Sequence, residues 1–396
     1  MSDLNNVPLS LYVHIPWCVK KCPYCDFNSH EIQSTLPEDQ YIDTLIQDLK
    51  TQNKIIRNRE IQSVFLGGGT PSIFSAESLQ RLITSLKNEL TLSHTAEITI
   101  EANPGASDQE NFSGFLEAGI NRISIGAQSF SNTQLKSLGR IHDAHTAIAA
   151  VNTAQQAGFE NINIDLMYAL PEQELSTALH DIEQAIALNP THISYYQLTI
   201  EPNTSFYRQP PVLPNSQTSW EIQQAGMELL AMHGYQQYEV SAYAQQGSQC
   251  IHNLNYWQFG DYLGIGAGAH QKLSVTLPNE ITRCEKPKHP QQYMKHIQQG
   301  KIAVQTHTLS EQDILFEFML NALRLKHGFT LQQFESHTGL SFKKIASLLQ
   351  SQLDEGFLTK ENDRIHCTAR GYKFLDDVLQ SWLPENTFAQ QQLNTN

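Results

Sequence analysis

The chain of 396 residues contains no apolar run of the length a membrane-crossing helix needs, and its mean hydropathy of -0.38 fits a soluble, globular protein. The opening MSDLNNVPLS has neither the basic stretch nor the apolar core of a secretion signal, so a cytoplasmic location is expected. Positive charge is scarce: 26 Lys and Arg face 40 Asp and Glu, and a net charge of -14 makes nucleic acid a poor default partner. Cysteine is scarce too. Of six, Cys250, Cys284 and Cys367 are scattered, which excludes a disulfide framework and fits a reducing compartment. The length allows two or three domains.

The other three cysteines lie together. Cys18, Cys22 and Cys25 form C-x3-C-x2-C within HIPWCVKKCPYCDFNSH, directly after the strand-like LSLYVHI. Three close thiolates can hold three irons of a 4Fe–4S cluster, whereas the usual all-protein set is four. His14 and His30 flank the loop, so a zinc site stays open as an alternative. The spacing resembles the radical S-adenosylmethionine (SAM) signature, in which the amino and carboxylate groups of SAM fill the fourth corner.

Six strand candidates alternate with helical stretches up to about residue 200: 9–15, 63–68, 97–102, 122–127, 161–168 and 192–198. The helices between them read as 37–56, 75–91, 108–118, 143–157 and 175–188, with Ser75 and Ser78, Ser107 and Glu110, and Gly158 as start and stop signals. Six β–α repeats predict an α/β fold, a partial (β/α)6 barrel over residues 1–200. The Pro- and Asn-rich 201–220 reads as a linker, 219–233 as a helix and 235–244 as one strand, so 201–305 is expected to hold a linker, a strand and the HNLNYW segment. Residues 306–385 have the order of a winged helix, and 386–396 reads as a disordered tail. Segment 305–385 holds eight Lys and Arg against eleven Asp and Glu, which favours a lid or docking module over a DNA reader.

Chemistry-bearing groups collect at the strand ends, where the loops of such barrels carry function. Gly67-Gly68-Gly69-Thr70-Pro71 follows the second strand and would expose amide donors to a carboxylate, or form a simple tight turn. Glu101, Gln128 and Asp165 end the next three strands, and Arg140 follows in LKSLGR. Taken singly, each is an ordinary cap or ion pair; together they fit ribose and carboxylate contacts. His252, in HNLNYW, could offer imidazole to a heme iron with Tyr256 and Trp257 as aromatic faces, or could cap a backbone carbonyl in a packed loop. Cys250 reads as a buried thiol, and His270 in IGAGAH is a second candidate ligand.

The run YVHIPWCVKKCPYC, GGGTP, EANP, GAQSF, LGR, NIDLMYALP and the winged-helix-like end resembles the HemN-type radical SAM group. That group comprises oxygen-independent coproporphyrinogen III oxidases and HemW-like heme chaperones. The resemblance implies a 4Fe–4S cluster on Cys18, Cys22 and Cys25. It implies SAM held by Tyr12, Tyr24, Gly68, Gly69, Thr70, Glu101, Gln128, Arg140, Asp165 and Thr199. Two departures point away from the oxidase branch. Phe27 stands where that branch has a further cysteine, and only eleven residues precede Tyr12, where the oxidase has a longer extension. HNLNYW matches the H-N-x-x-Y-W of the chaperones and implies heme at His252. The implied function is binding heme and passing it to acceptor proteins, without nucleic acid or a membrane span, and with peripheral membrane association only through acceptors. The rivals are coproporphyrinogen III oxidation, radical methyl transfer and DNA-binding regulation.

Overall fold

The computed structural model describes residues 4–383 except 34, 57–58, 106–110, 276–279 and 302. Ser107, Glu110 and the tail from 386 lie outside the described residues.

Six parallel strands form the centre: β1 (Leu9–Ile15), β2 (Ile61–Gly68), β3 (Leu92–Ala102), β4 (Arg122–Gln128), β5 (Asn161–Tyr168) and β6 (His192–Gln197). Their period-two pattern decides which face is which. In β1, Leu9, Leu11, Val13 and Ile15 join the main apolar core, while Ser10, Tyr12 and His14 alternate with them. The same alternation sets Ile98, Ile100 and Ala102 against Glu97, Thr99 and Glu101 in β3. It also sets Ile162, Ile164 and Leu166 against Asn163 and Asp165 in β5. The apolar set packs under the helices; the polar set faces the barrel lumen.

The covering helices are α1 (Glu38–Ile56), α2 (Ala76–Glu89), α3 (Phe112–Ala118), α4 (Ala144–Ala157) and α5 (Leu175–Ala187). Ser75 caps α2 by accepting from the Ser78 amide at 3.2 Å. Gly158 ends α4 at φ 101°, a left-handed cap that glycine adopts without a Cβ penalty. Leu79, Leu82, Ile83 and Leu86 of α2 are fully buried in the core, each such burial contributing roughly 1.5–3 kcal/mol.

Residues 201–305, expected to hold a linker, one strand and the HNLNYW segment, contribute further strands to the same sheet. The expected strand at 235–244 is a hairpin, β7 (Gln236–Glu239) and β8 (Ala242–Ala244). It turns because the Glu239 carboxylate accepts from both the Ser241 amide (3.1 Å) and its hydroxyl (2.9 Å). On the other edge, β9 (Asp261–Gly266) pairs parallel with β1, followed by antiparallel β10 (His270–Val275), β11 (Glu280–Glu285) and β12 (Gln305–Thr308). The twelve strands run β12-β11-β10-β9-β1-β2-β3-β4-β5-β6-β8-β7, so the barrel stays open. Helices α6 (Ser216–Met232), α7 (Ile251–Trp257) and α8 (Pro290–Gln298) connect them.

The C-terminal domain has the expected winged-helix order: α9 (Glu311–Ala322), β13 (Phe329–Thr330), α10 (Leu331–Thr338), α11 (Ala346–Asp354), β14 (Leu358–Glu361) and β15 (Arg364–Cys367). It packs on the loops before the strands. Phe318 meets Phe259 edge-on at 5.7 Å, His337 bonds the Gln258 carbonyl at 2.7 Å, and Lys326 donates its amide to Tyr238 at 2.9 Å. Gln258 and Phe259 lie just before β9, whose first residue pairs with the first residue of β1. The domain therefore closes the end of the barrel opposite the cysteines and is no lid over them.

Candidate functional site

Strand β1 delivers the chain to the barrel mouth. There Trp17–Cys18 forms a two-residue ribbon with His30–Glu31. Between the two segments the cysteine loop is held by its own groups. The Cys25 amide donates to the Cys22 carbonyl at 3.1 Å, and Lys21 Nζ donates to the Phe27 (2.9 Å) and Ser29 (3.3 Å) carbonyls. Cys25 Sγ sits 3.7 Å from the Ser29 hydroxyl, and Arg140 donates through Nη1 to Cys22 Sγ at 3.4 Å.

The three thiols edge a cavity of about 320 Å³. Every residue expected at the SAM site except Tyr12 also lines it: Tyr24, Gly68, Gly69, Thr70, Glu101, Gln128, Arg140, Asp165 and Thr199. Gly68, Glu101, Gln128 and Asp165 reach it from the strand ends, Gly69, Thr70 and Thr199 from just beyond them, Tyr24 from the cysteine loop and Arg140 from the loop after a short helix at Asn132–Ser137. Arg140 is fixed further by Nη2 bonds to Asn103 Oδ1 (2.8 Å) and the Gly126 carbonyl (2.9 Å), and Asn103 in turn donates to the Thr70 hydroxyl at 2.7 Å. Asp165 accepts from Asn163 (2.7 Å) and Ser124 (3.3 Å). Gln128 holds φ 68°, a conformation uncommon outside glycine, with its side-chain oxygen accepting from the Tyr196 hydroxyl at 2.7 Å. Burial, with Asp165 nearby, lifts the Glu101 carboxyl to about 7, opposed by the Gly68 amide. Burial likewise pushes the Cys18 thiol up to about 11. Thiolate binding there must therefore release a proton.

The glycine triplet works differently from the expected open nest. Gly68 donates its amide to Glu101 Oε2 (3.0 Å), Gly69 to the Ile15 carbonyl (2.8 Å) and Thr70 to Trp17 (2.7 Å). These amides already have partners. What demands glycine is contact with the cysteine segment: a Cβ on Gly69 would stand 2.4 Å from the Trp17 carbonyl oxygen, and one on Gly68, at φ +116°, would strike the His14 ring.

Two expected residues lie elsewhere. Tyr12 is half-buried, hydrogen-bonded to His14 Nδ1 at 3.0 Å, and borders a neighbouring cavity of about 500 Å³. His252 lies on α7, which plugs the barrel floor. Its Nδ1 bonds the Ser63 hydroxyl (3.1 Å), its Nε2 bonds the Tyr256 hydroxyl (3.2 Å), and its ring stacks on Phe65 at 4.9 Å. Burial lowers its pKa to about 3. As folded, both ring nitrogens have hydrogen-bond partners, and neither is open to an iron. Cys250 is fully buried and donates to Glu97 at 3.4 Å. Trp257 belongs to the domain interface, with the Arg324 guanidinium 4.2 Å above its ring.

Asn103, Asn28 and Tyr196 also shape the site. Asn103, in EANP, lies one residue beyond the end of β3, a local signal; Asn28 and Tyr196 carry no sequence pattern, because their partners lie far away in the chain. Among the described residues no three His, Cys, Asp or Glu side chains converge on a single metal-ion position. Three thiols edging a pocket of polar strand ends fit a cluster ligated at three corners, with room beside it. No described helix is long and apolar enough to cross a membrane.

The radical SAM superfamily model matches residues 12–185, and the HemN C-terminal domain model matches 309–374. The chain is 48% identical over 383 residues to heme chaperone HemW of Haemophilus influenzae, covering 96% of this chain and 98% of that protein. It is 47% identical to heme chaperone HemW of Escherichia coli over 379 residues, covering 96% and 99%. Coproporphyrinogen III oxidase (HemN) of Escherichia coli has the same fold, with a TM-score of 0.80 at 24% identity over 96% of this chain and 90% of that one. Two matched domains and 47–48% identity over 96% of the chain leave one conclusion: the chain belongs to the HemW family of the radical SAM superfamily.

Proposed function

We propose that this protein is a heme chaperone, binding heme and handing it to acceptor proteins. The observation that carries the reading is the end-to-end likeness to proteins named heme chaperone HemW, joined to Phe27. That side chain stands at the cavity edge where the oxidase branch has a further cysteine, and it is 60% exposed.

Cys18, Cys22 and Cys25 would hold a 4Fe–4S cluster, and Tyr24, Gly68, Gly69, Thr70, Glu101, Gln128, Arg140, Asp165 and Thr199 would hold exchangeable SAM. When bound, the two together supply one-electron chemistry at a sulfonium. The chain's own part is positional. Arg140 ties the cysteine loop to Asn103 and Gly126, Asp165 is held by Asn163 and Ser124 to accept from ribose hydroxyls, and the floor helix α7 closes the lumen. Tyr12 and His252 act from the adjoining cavity wall and floor. In this reading the cluster serves regulation or assembly, and porphyrin decarboxylation is the second reading, favoured by the shared fold. A cytoplasmic location, with membranes met through acceptors, completes the proposal.

Heme-loaded protein is the test. Mixed with heme-depleted membranes holding apo-acceptors, a chaperone transfers heme at a rate that rises with acceptor concentration. A rate independent of acceptor, equal to spontaneous heme loss, would overturn the reading.

A further inference from the structure

The neighbouring cavity of about 500 Å³ runs from the barrel mouth towards α7 and shares the Gly68 and Glu101 wall with the cysteine cavity. Its size is in the range that takes a small-molecule ligand. Three tyrosines, Tyr12, Tyr256 and Tyr262, line it and offer aromatic faces to a flat macrocycle. His270 and Lys288 also line it.

The lining offers several groups able to ligate iron, and most are already engaged. His14 bonds Tyr12 through Nδ1 (3.0 Å) and the Asn28 carbonyl through Nε2 (2.8 Å). Tyr256 bonds His252, and Tyr262 accepts from Arg283. The ring of His270 makes no hydrogen bond among the described residues and is exposed at the start of β10. Resting on the heme-chaperone reading, we infer that heme occupies this second cavity with His270 as its iron ligand and Lys288 facing a propionate. His252 is then a positioning residue, and the HNLNYW segment contributes through Tyr256, whose hydroxyl it holds at 3.2 Å.

The site is stapled to the cysteine loop. Asn28, three residues after Cys25, donates through Nδ2 to the Ala267 (2.9 Å) and Lys288 (2.8 Å) carbonyls on either side of the β10–β11 hairpin. A Cβ on Gly268 would collide with that amide at 2.3 Å. The backbone beneath His270 and Lys288 is thus set by the segment that carries the thiols.

Ferric heme titration of the full-length protein, read by the Soret band and low-temperature electron paramagnetic resonance, is the experiment. The wild type is expected to give a histidine-ligated spectrum. His270→Ala, at an exposed strand end, should lose that signature and bind at least tenfold more weakly, with added imidazole restoring the spectrum. Lys288→Glu should weaken heme several-fold while leaving heme dimethyl ester, which lacks the carboxylates, unaffected. His252→Gln should keep the ligand signature. His270→Ala with an unchanged spectrum and affinity, in a wild type that does bind heme, would overturn this assignment alone. A wild type that binds no heme would overturn the chaperone reading beneath it.

Discussion

Glu101 shows how one carboxyl can carry two roles. It accepts the Gly68 amide at 3.0 Å and lines both cavities, yet burial raises it from 4.5 to about 7. The folded protein therefore holds this proton more tightly than the unfolded chain. The sign follows: the stability contribution is complete below about pH 4.5 and lost as pH rises through about 7. Glu101→Gln, which keeps an acceptor for Gly68, should be more stable than the parent above pH 7, by roughly 2–3 kcal/mol, with the difference vanishing towards pH 4.5. Comparing denaturation of the two at each pH cancels the opposite slope of His14 (about 4) and His252 (about 3), which burial keeps neutral. A pH-independent difference would refute the assignment. Asp165→Ala tests the same wall from the ligand side. SAM affinity in the reconstituted protein should fall by about tenfold or more while iron and sulfide content stay at wild-type level. Cys22→Ser should instead lower iron and sulfide content while the protein stays folded.

At the level of elements, the clearest device is the joint between helix α1 and the added strands. Asp48 of α1 pairs with Lys286 at 2.7 Å and accepts from the Tyr293 hydroxyl at 2.9 Å, with Asp48 and Lys286 both shielded from water. Tyr41 donates to the His14 carbonyl (2.8 Å) and accepts from the Ala267 amide (2.8 Å), closing the seam where β1 and β9 separate. Asp48→Ala leaves a buried lysine unpaired and should cost about 3–5 kcal/mol, seen as a lower thermal midpoint; no change would mean that water reaches the pair. These joints explain what the sequence did and did not reveal. The six central strands were legible because period-two alternation separates a lumen from a core, and β1 and β5 were placed to the residue. Caps at Ser75 and Gly158 were legible because they are local. The turn at Ser241 and strand β9 were not: one depends on a side-chain bond, the other on pairing with a strand some 250 residues earlier.

Over the whole molecule, the two ends of the barrel do different work. The cysteine cavity and its neighbour open at one end; α7 and the winged-helix domain seal the other, joined by Arg324 to Glu239 at 3.0 Å and by Phe259 in the second core. The cluster thiols were legible because three ligands share one loop. The role of the HNLNYW segment was not, because its histidine is sealed by Ser63 and Tyr256, which the chain brings from elsewhere and from one helical turn on. The central claim is that this barrel carries heme and does not oxidise its precursor. The direct measurement is an anaerobic reaction of the reconstituted protein with SAM, reductant and coproporphyrinogen III, an active oxidase running alongside, with 5′-deoxyadenosine and porphyrin products read in one chromatogram. The account predicts no decarboxylated product while cluster and SAM remain bound. Substrate-dependent protoporphyrinogen would contradict it.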